Sequence, residues 1–146
     1  MATLDEVRPQ LDSARHGYLS TASADAEPHL QPVVFQVVGE AVYIAIDEKP
    51  KTTLRLRRLT NIEENPRFAL LVDRYDDDWS RLWWILLRGP ADVLWPSEWD
   101  ANESAAAVAA LRAKYPQYES MGMEERPLLR LRPDRVTRWS ASGDYS

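Results

Sequence analysis

Cysteine is missing from all 146 residues, which removes disulfides, thiolate metal sites and a cysteine nucleophile from consideration. Glycine is scarce, with five scattered residues. Neither GxGxxG nor GxxxxGK(S/T) can be read anywhere, so no glycine-rich phosphate loop is available. The GxSxG elbow of serine hydrolases is absent as well. The two histidines, His16 and His29, have no companions at ligand spacing, so no metal is expected. An excess of positive charge is also lacking. A net charge of −5 and a pI near 5.1 argue against a nucleic-acid or membrane-surface binder. No apolar run reaches the roughly 18 residues of a membrane span, and the N-terminus has no signal-peptide core. A cytoplasmic address is the expectation.

Tryptophan, by contrast, is plentiful. Five of the six (Trp79, Trp83, Trp84, Trp95 and Trp99) fall close together, as suits a core, an interface or a ring-binding site. Asp76-Asp77-Asp78 is read as a solvated loop, since calcium loops space their ligands at alternate positions around a glycine. With no nucleophile, metal or phosphate loop in sight, any enzymatic chemistry would belong to a bound organic cofactor.

One domain over 1–146 fits the length. It divides into a helix at about 3–14, a barrel over about 16–140, and a loose tail at 141–146. Thr3 and Glu6 form a capping-box pattern, and Pro9 weakens the helix they start. "HGYLSTAS", "HLQPVVFQVV" and "AVYIAI" read as strands, the last two joined at Gly39-Glu40. Both are apolar on two faces in their middles, which suits a barrel or interface wall. "TTLRLRRLTNIEEN" reads as a helix ended by Pro66. Strands follow in "RFALLVDRYD" and "LWWILLRGPADVLW", then a helix over "PSEWDANESAAAVAALRAKY" with Ser97 as N-cap. "LLRLRPDRVTRWSA" closes the chain as one alternating strand. The fold class is mainly β with peripheral helices (α+β), built as a small antiparallel barrel.

"KPKTTLRLRRL", Lys49 to Leu59, gathers five basic side chains in an acidic protein. On a helical wheel Lys51, Arg55 and Arg58 share a face that borders the apolar one of Leu56, Leu59 and Ile62. Lys49, Lys51, Thr52 and Thr53 stand where a helix begins and an anion is favoured. Spacing alone leaves two readings open, a solvated face and an anion site.

"GYLSTASADAEPHLQPVVF" and the run from "AVYIAIDEKPK" through "VDRYDDDWSRLWWILLRGPADVL" resemble the flavin/deazaflavin oxidoreductase superfamily. These are split β-barrel proteins related to pyridoxamine 5′-phosphate oxidase. The phrases D-x-K-P-K and VDxYDDDWSxLWW are similar to its actinobacterial branch of coenzyme F420-dependent enzymes, over about residues 14–140. The resemblance implies a six-stranded antiparallel split barrel of the FMN-binding type. It implies a homodimer with cofactor grooves between the subunits and a small-molecule substrate, with no nucleic-acid or membrane partner. A deazaflavin ring would lie near Pro32, Val33 and Val34 and near Ile44, Ala45 and Ile46. Its phosphate and acidic tail would reach Lys49, Lys51 and Thr52, with Arg55, Arg57 and Arg58 nearby. Trp79, with Tyr75 and Trp139, would close the site from the second subunit. The activity implied is F420-dependent hydride transfer to an organic acceptor. FMN is the alternative cofactor, and a non-catalytic deazaflavin- or haem-binding protein the alternative function. The ending "RVTRWSASGDYS" lacks the basic residues that hold a vitamin B6 phosphate, so oxidation of that substrate is not implied.

Overall fold

The structure is a computed structural model that describes residues 1–46 and 57–146. Helix α1 (Leu4–Ser13) starts as the capping box predicts, Thr3 Oγ1 accepting from the Glu6 backbone N–H. Pro9 is tolerated, and the helix continues to Ser13. A hairpin follows from β1 (Gly17–Ala22) and β2 (Pro28–Val33). The expected single strand over "HLQPVVFQVV" breaks after Val33, and β3 covers Gln36–Val38 only. The cause lies far along the chain. The Tyr115 hydroxyl donates to the Phe35 carbonyl and accepts from its N–H, occupying the groups a continuous ladder would use. Gly39 makes the turn to β4 (Ala41–Ala45) with φ 62°.

Over the described residues α2 is Arg57–Glu64, stopping before Pro66. Then come β5 (Arg67–Arg74), β6 (Trp83–Leu94) and α3 (Ala101–Lys114). The cap of α3 is Asp100, which accepts from the N–H groups of Asn102 and Glu103. Ser97 instead sits in a short 3-10 turn, Pro96–Glu98. The last predicted strand is also two, β7 (Leu128–Leu131) and β8 (Arg135–Ser140).

Among the described residues the sheet therefore has eight strands, not six, in the order β2-β1-β5-β6-β7-β4-β3, with β8 added beside β6. All pairings are antiparallel. No ladder joins β2 to β3 among the described residues, so hydrogen bonding leaves the barrel unclosed. β6 is its spine. One edge pairs with all of β5, while the other is shared between β8 (Trp83–Arg88) and β7 (Ala91–Leu94). At the division stands Gly89, where a Cβ would lie 2.3 Å from the Arg132 carbonyl oxygen. The strand β7 leaves and β8 returns through that gap.

Two cores result. Leu19, Phe35, Val42, Ile44, Leu70, Ile85, Leu87 and Leu129 fill the barrel, with Leu59 and Ile62 of α2 pressed in from its end. Ala41, Tyr43 and Ala45 face the second core with Ala107, Val108 and Leu111 of α3. β4 is thus buried on both faces, which explains its unbroken apolar run. The tail is held, not loose: Tyr145 packs 6.3 Å from the Trp83 ring and lies under the Arg138 guanidinium. Among the described residues no helix is long and apolar enough to cross a membrane.

Lys114, at the end of α3, ties the helical layer together. Its Nζ donates to the Leu11 carbonyl at 2.9 Å and lies 4.3 Å from the Phe35 ring centroid. Burial pulls its pKa down to about 8; Asp12 opposes the fall and Arg15 assists it. The unfolded chain holds this proton up to about 10.5, so between 8 and 10.5 it binds more protons than the folded one. This group therefore makes the fold more stable as pH rises through that window. Urea unfolding of wild type and Lys114→Met at pH 7.5 and pH 10 checks it. The wild type should gain on the variant at the higher pH, and a constant difference would contradict the assignment.

Candidate functional site

The roomiest groove described is not the most suitable. About 900 Å³ in volume, it is bordered by α1, the Gly39 turn, Tyr43 and the Arg130–Asp134 stretch. Its central cation is already used. Arg130 donates to both oxygens of Asp92 (3.1 and 2.6 Å) and both of Glu103 (2.7 and 3.1 Å). Burial and Glu103 push the Tyr43 hydroxyl up to about 12, so it stays protonated and neutral. This network pins β7 to β6 and α3, and leaves little for a ligand to claim.

A smaller cleft, about 250 Å³, lies where the ends of β2 and β4 meet the start of α2. Pro32, Val33, Val34, Ile44 and Ala45 line it, together with Arg58, His16, Gln31 and Tyr118. Six residues expected at a cofactor site are thereby gathered in one place. The antiparallel register puts Pro32 opposite Tyr18 and Val33 opposite Gly17, which carries His16 to the rim. Arg58 comes from the first turn of α2 as described and is only 8% exposed. As the wheel indicated, it borders the face that buries Leu59 and Ile62.

The remaining expected residues are distributed differently. Arg57 turns to a separate hollow of about 80 Å³ with Ser23, Glu27, His29 and Asn61. Ile46 is buried in the barrel core. Trp79 is exposed in the 3-10 turn Trp79–Arg81, with its Nε1 near the Tyr75 hydroxyl at 3.4 Å. Neither lines the cleft. Lys49, Lys51, Thr52 and Arg55 lie outside the described residues. The acidic loop serves structure: Asp78 accepts from Ser80, and Asp76 sits within 4 Å of Arg74 and Arg81. Among the described residues no group of acidic or histidine side chains could hold a metal.

His16, Gln31 and Tyr118 were not singled out by sequence. Alternation along β2 does place Gln31 on the face of His29, whose Nε2 donates to Gln31 Oε1 at 2.9 Å. Tyr118 arrives from a 3-10 segment, Pro116–Ser120, for which nothing local gives a signal.

A second surface adjoins the cleft. Side chains of Pro32, Tyr18, Leu71, Leu86 and Thr137 form one row across the outer face of β2, β1, β5, β6 and β8. Beside it Trp84 stands opposite Trp139. Tyr18, Trp84 and Trp139 are 37%, 37% and 44% exposed, and the two tryptophans border a hollow of about 410 Å³ with Leu71 and Leu86. Trp83, one position along, turns inward to the core, as alternation requires.

An antiparallel sheet divided on one long strand, with a cleft of mixed apolar and polar lining between strand ends and a helix start, defines the split-barrel class of the flavin/deazaflavin oxidoreductase type. The chain belongs to the pyridoxamine 5′-phosphate oxidase family, whose sequence profile matches residues 3–140. No curated protein matches it in sequence. Among solved structures it is similar to a conserved hypothetical protein from Mycobacterium tuberculosis, with TM-score 0.76 and 18% identity over 97% of this chain and 86% of that one. It is also similar to a heme binding protein from Mycobacterium smegmatis (TM-score 0.76, 19% identity, 99% of this chain and 56% of that one). A third is an FAD binding protein from the same organism (TM-score 0.63, 19% identity, 94% and 98%). At such identities the likeness establishes the fold alone.

Proposed function

We propose that this protein is a homodimeric oxidoreductase that holds a deazaflavin of the coenzyme F420 type and reduces a small unsaturated organic acceptor. The observation that carries the reading is the cleft. Pro32, Val33, Val34, Ile44 and Ala45 line it beside the polar groups of His16, Gln31 and Tyr118, with the Arg58 cation at one side and Pro32 shared with the outer aromatic face. Such a lining fits a planar heterocycle with an anionic appendage. The cleft alone is too shallow to bury several fused rings, and a second copy seated on the adjacent face would deepen it. When bound, the cofactor supplies hydride chemistry. The chain's own part is to orient the ring, keep water out and bring the acceptor to near-attack distance.

The basic segment supports the deazaflavin. An acidic tail approaching a chain of net charge −5 needs a local reversal of field, and Lys49, Lys51 and Arg55 supply it in the sequence. FMN is the second reading, favoured by the fold likeness to an FAD binding protein, and haem a third, favoured by the heme binding one.

Equilibrium titration of the purified protein with F420, FMN and hemin tests the proposal. Tightest binding of F420 is expected, with Lys51→Glu weakening it by roughly tenfold or more and flattening its salt dependence. Preferential retention of FMN, or of hemin without either of the others, would overturn the choice.

A further inference from the structure

We propose that Gln31 reads the heterocyclic edge of the bound ring and that His29 is its positioning residue. The inference rests on the flavin-type reading of the cleft given above. His29 and Gln31 stand two apart on β2, on one face of a strand that, among the described residues, pairs with β1 alone. The contact between them joins His29 Nε2 to Gln31 Oε1 at 2.9 Å. An amide oxygen only accepts, so the imidazole nitrogen carries the hydrogen.

This bond fixes the amide. With Oε1 held by His29, the Nε2 end is left for the cleft, which Gln31 lines beside Pro32 and Val33. Among the described residues no protein group accepts from that Nε2. The site therefore presents an oriented pair of N–H donors beside the apolar residues of the cleft. Their complement is a flat ring whose edge carries carbonyl oxygens. The pyrimidinedione edge common to flavins and deazaflavins is such an edge. His29 lines the adjacent hollow with Ser23, Glu27, Arg57 and Asn61 and is not among the residues of the cleft, so it supports the amide from beside it.

Titration of wild type, Gln31→Met, Gln31→Glu, His29→Ala and the double variant His29→Ala/Gln31→Met with oxidised FMN and F420 tests the assignment. Gln31→Met keeps the length and loses the donors, and should weaken both ligands by about tenfold. Gln31→Glu sets a carboxylate against carbonyl oxygens and should weaken them by about a hundredfold. His29→Ala should give a smaller loss, and the double variant should bind no worse than Gln31→Met, because the two residues act as one unit. In the vibrational spectrum of bound FMN, a carbonyl stretch should move to higher frequency in Gln31→Met. Gln31 is only half-buried, so melting temperatures near wild type are expected throughout.

Affinities within twofold of wild type for both Gln31 variants, or additive losses in the double variant, would overturn the inference while leaving the cleft as the binding site. A loss confined to one of the two ligands would overturn the assignment to their shared edge. Wild-type protein that binds neither FMN nor F420 would overturn the reading beneath it as well.

Discussion

Replacing Gly89 by alanine should cost the fold roughly 3 kcal/mol or more, a large part of the stability of a domain this size. The added Cβ would stand 2.3 Å from the Arg132 carbonyl oxygen and 2.8 Å from the Asp134 nitrogen. Both are backbone atoms, and neither can swing aside. Arg132 N–H is bonded to the Pro90 carbonyl at 3.0 Å, and Asp134 N–H to the Arg88 carbonyl at 2.9 Å. Relief therefore requires breaking the crossing that separates β7 from β8. At Gly17, the glycine of β1, the nearest atom to an added Cβ is the Leu71 carbonyl oxygen at 3.0 Å; at Gly89 the first carbon already collides. Urea denaturation measures the effect, and a drop in Tm of about 10 °C should accompany it. A midpoint unchanged from wild type would show that the crossing yields more easily than its bonds suggest.

In the homodimer proposed above, Leu86→Arg should separate the subunits and lower cofactor affinity at least tenfold. Leu86 lies in the outer row with Tyr18 and Leu71 and lines the hollow bordered by Trp84 and Trp139. Its neighbours on the strand, Ile85 and Leu87, hold the core and are untouched by the change. The variant should therefore fold with near-normal stability. A guanidinium forced into an apolar interface without a partner costs about 2–5 kcal/mol, enough to dissociate a micromolar dimer. Cofactor binding should fall with it, because Pro32 belongs both to that row and to the cleft. Light scattering gives the mass and a titration gives the affinity. A wild-type chain that is already monomeric, or a monomeric variant that binds as well as wild type, would contradict the shared-site dimer.

Much of this architecture was legible wherever the deciding physics is local. Thr3 with Glu6, Gly39 at its turn, Pro66 after α2, and the alternation of Trp83 with Trp84 each depend on a few neighbouring residues. The doubly apolar β4 also announced its two-sided burial. What escaped depends on contacts over long separations. Tyr115 interrupts β2 and β3 from 80 residues away. The turn after Arg132 depends on the missing side chain of Gly89, and splits one apparent strand into two that reach different stretches of β6. Asp100 displaced Ser97 as cap because Pro96–Glu98 closes as a separate turn. At the site, the strand residues lining the cleft followed from the family resemblance alone. Gln31 did not, since its meaning comes from the direction of one hydrogen bond. Tyr118 comes from a segment without periodicity, and only the folded chain brings it there.

Because β7 and β8 draw on the same edge of one twelve-residue strand, neither half of the sheet can peel away without tearing the other's ladder. Such a frame has no natural seam along β6, and among the described residues its opening lies between β2 and β3, beside the cleft. The distance between the ends of β2 and β4 is then set across the one side of the scaffold that no ladder ties among the described residues, so ligand preference can be written there in spacing as well as in side chains.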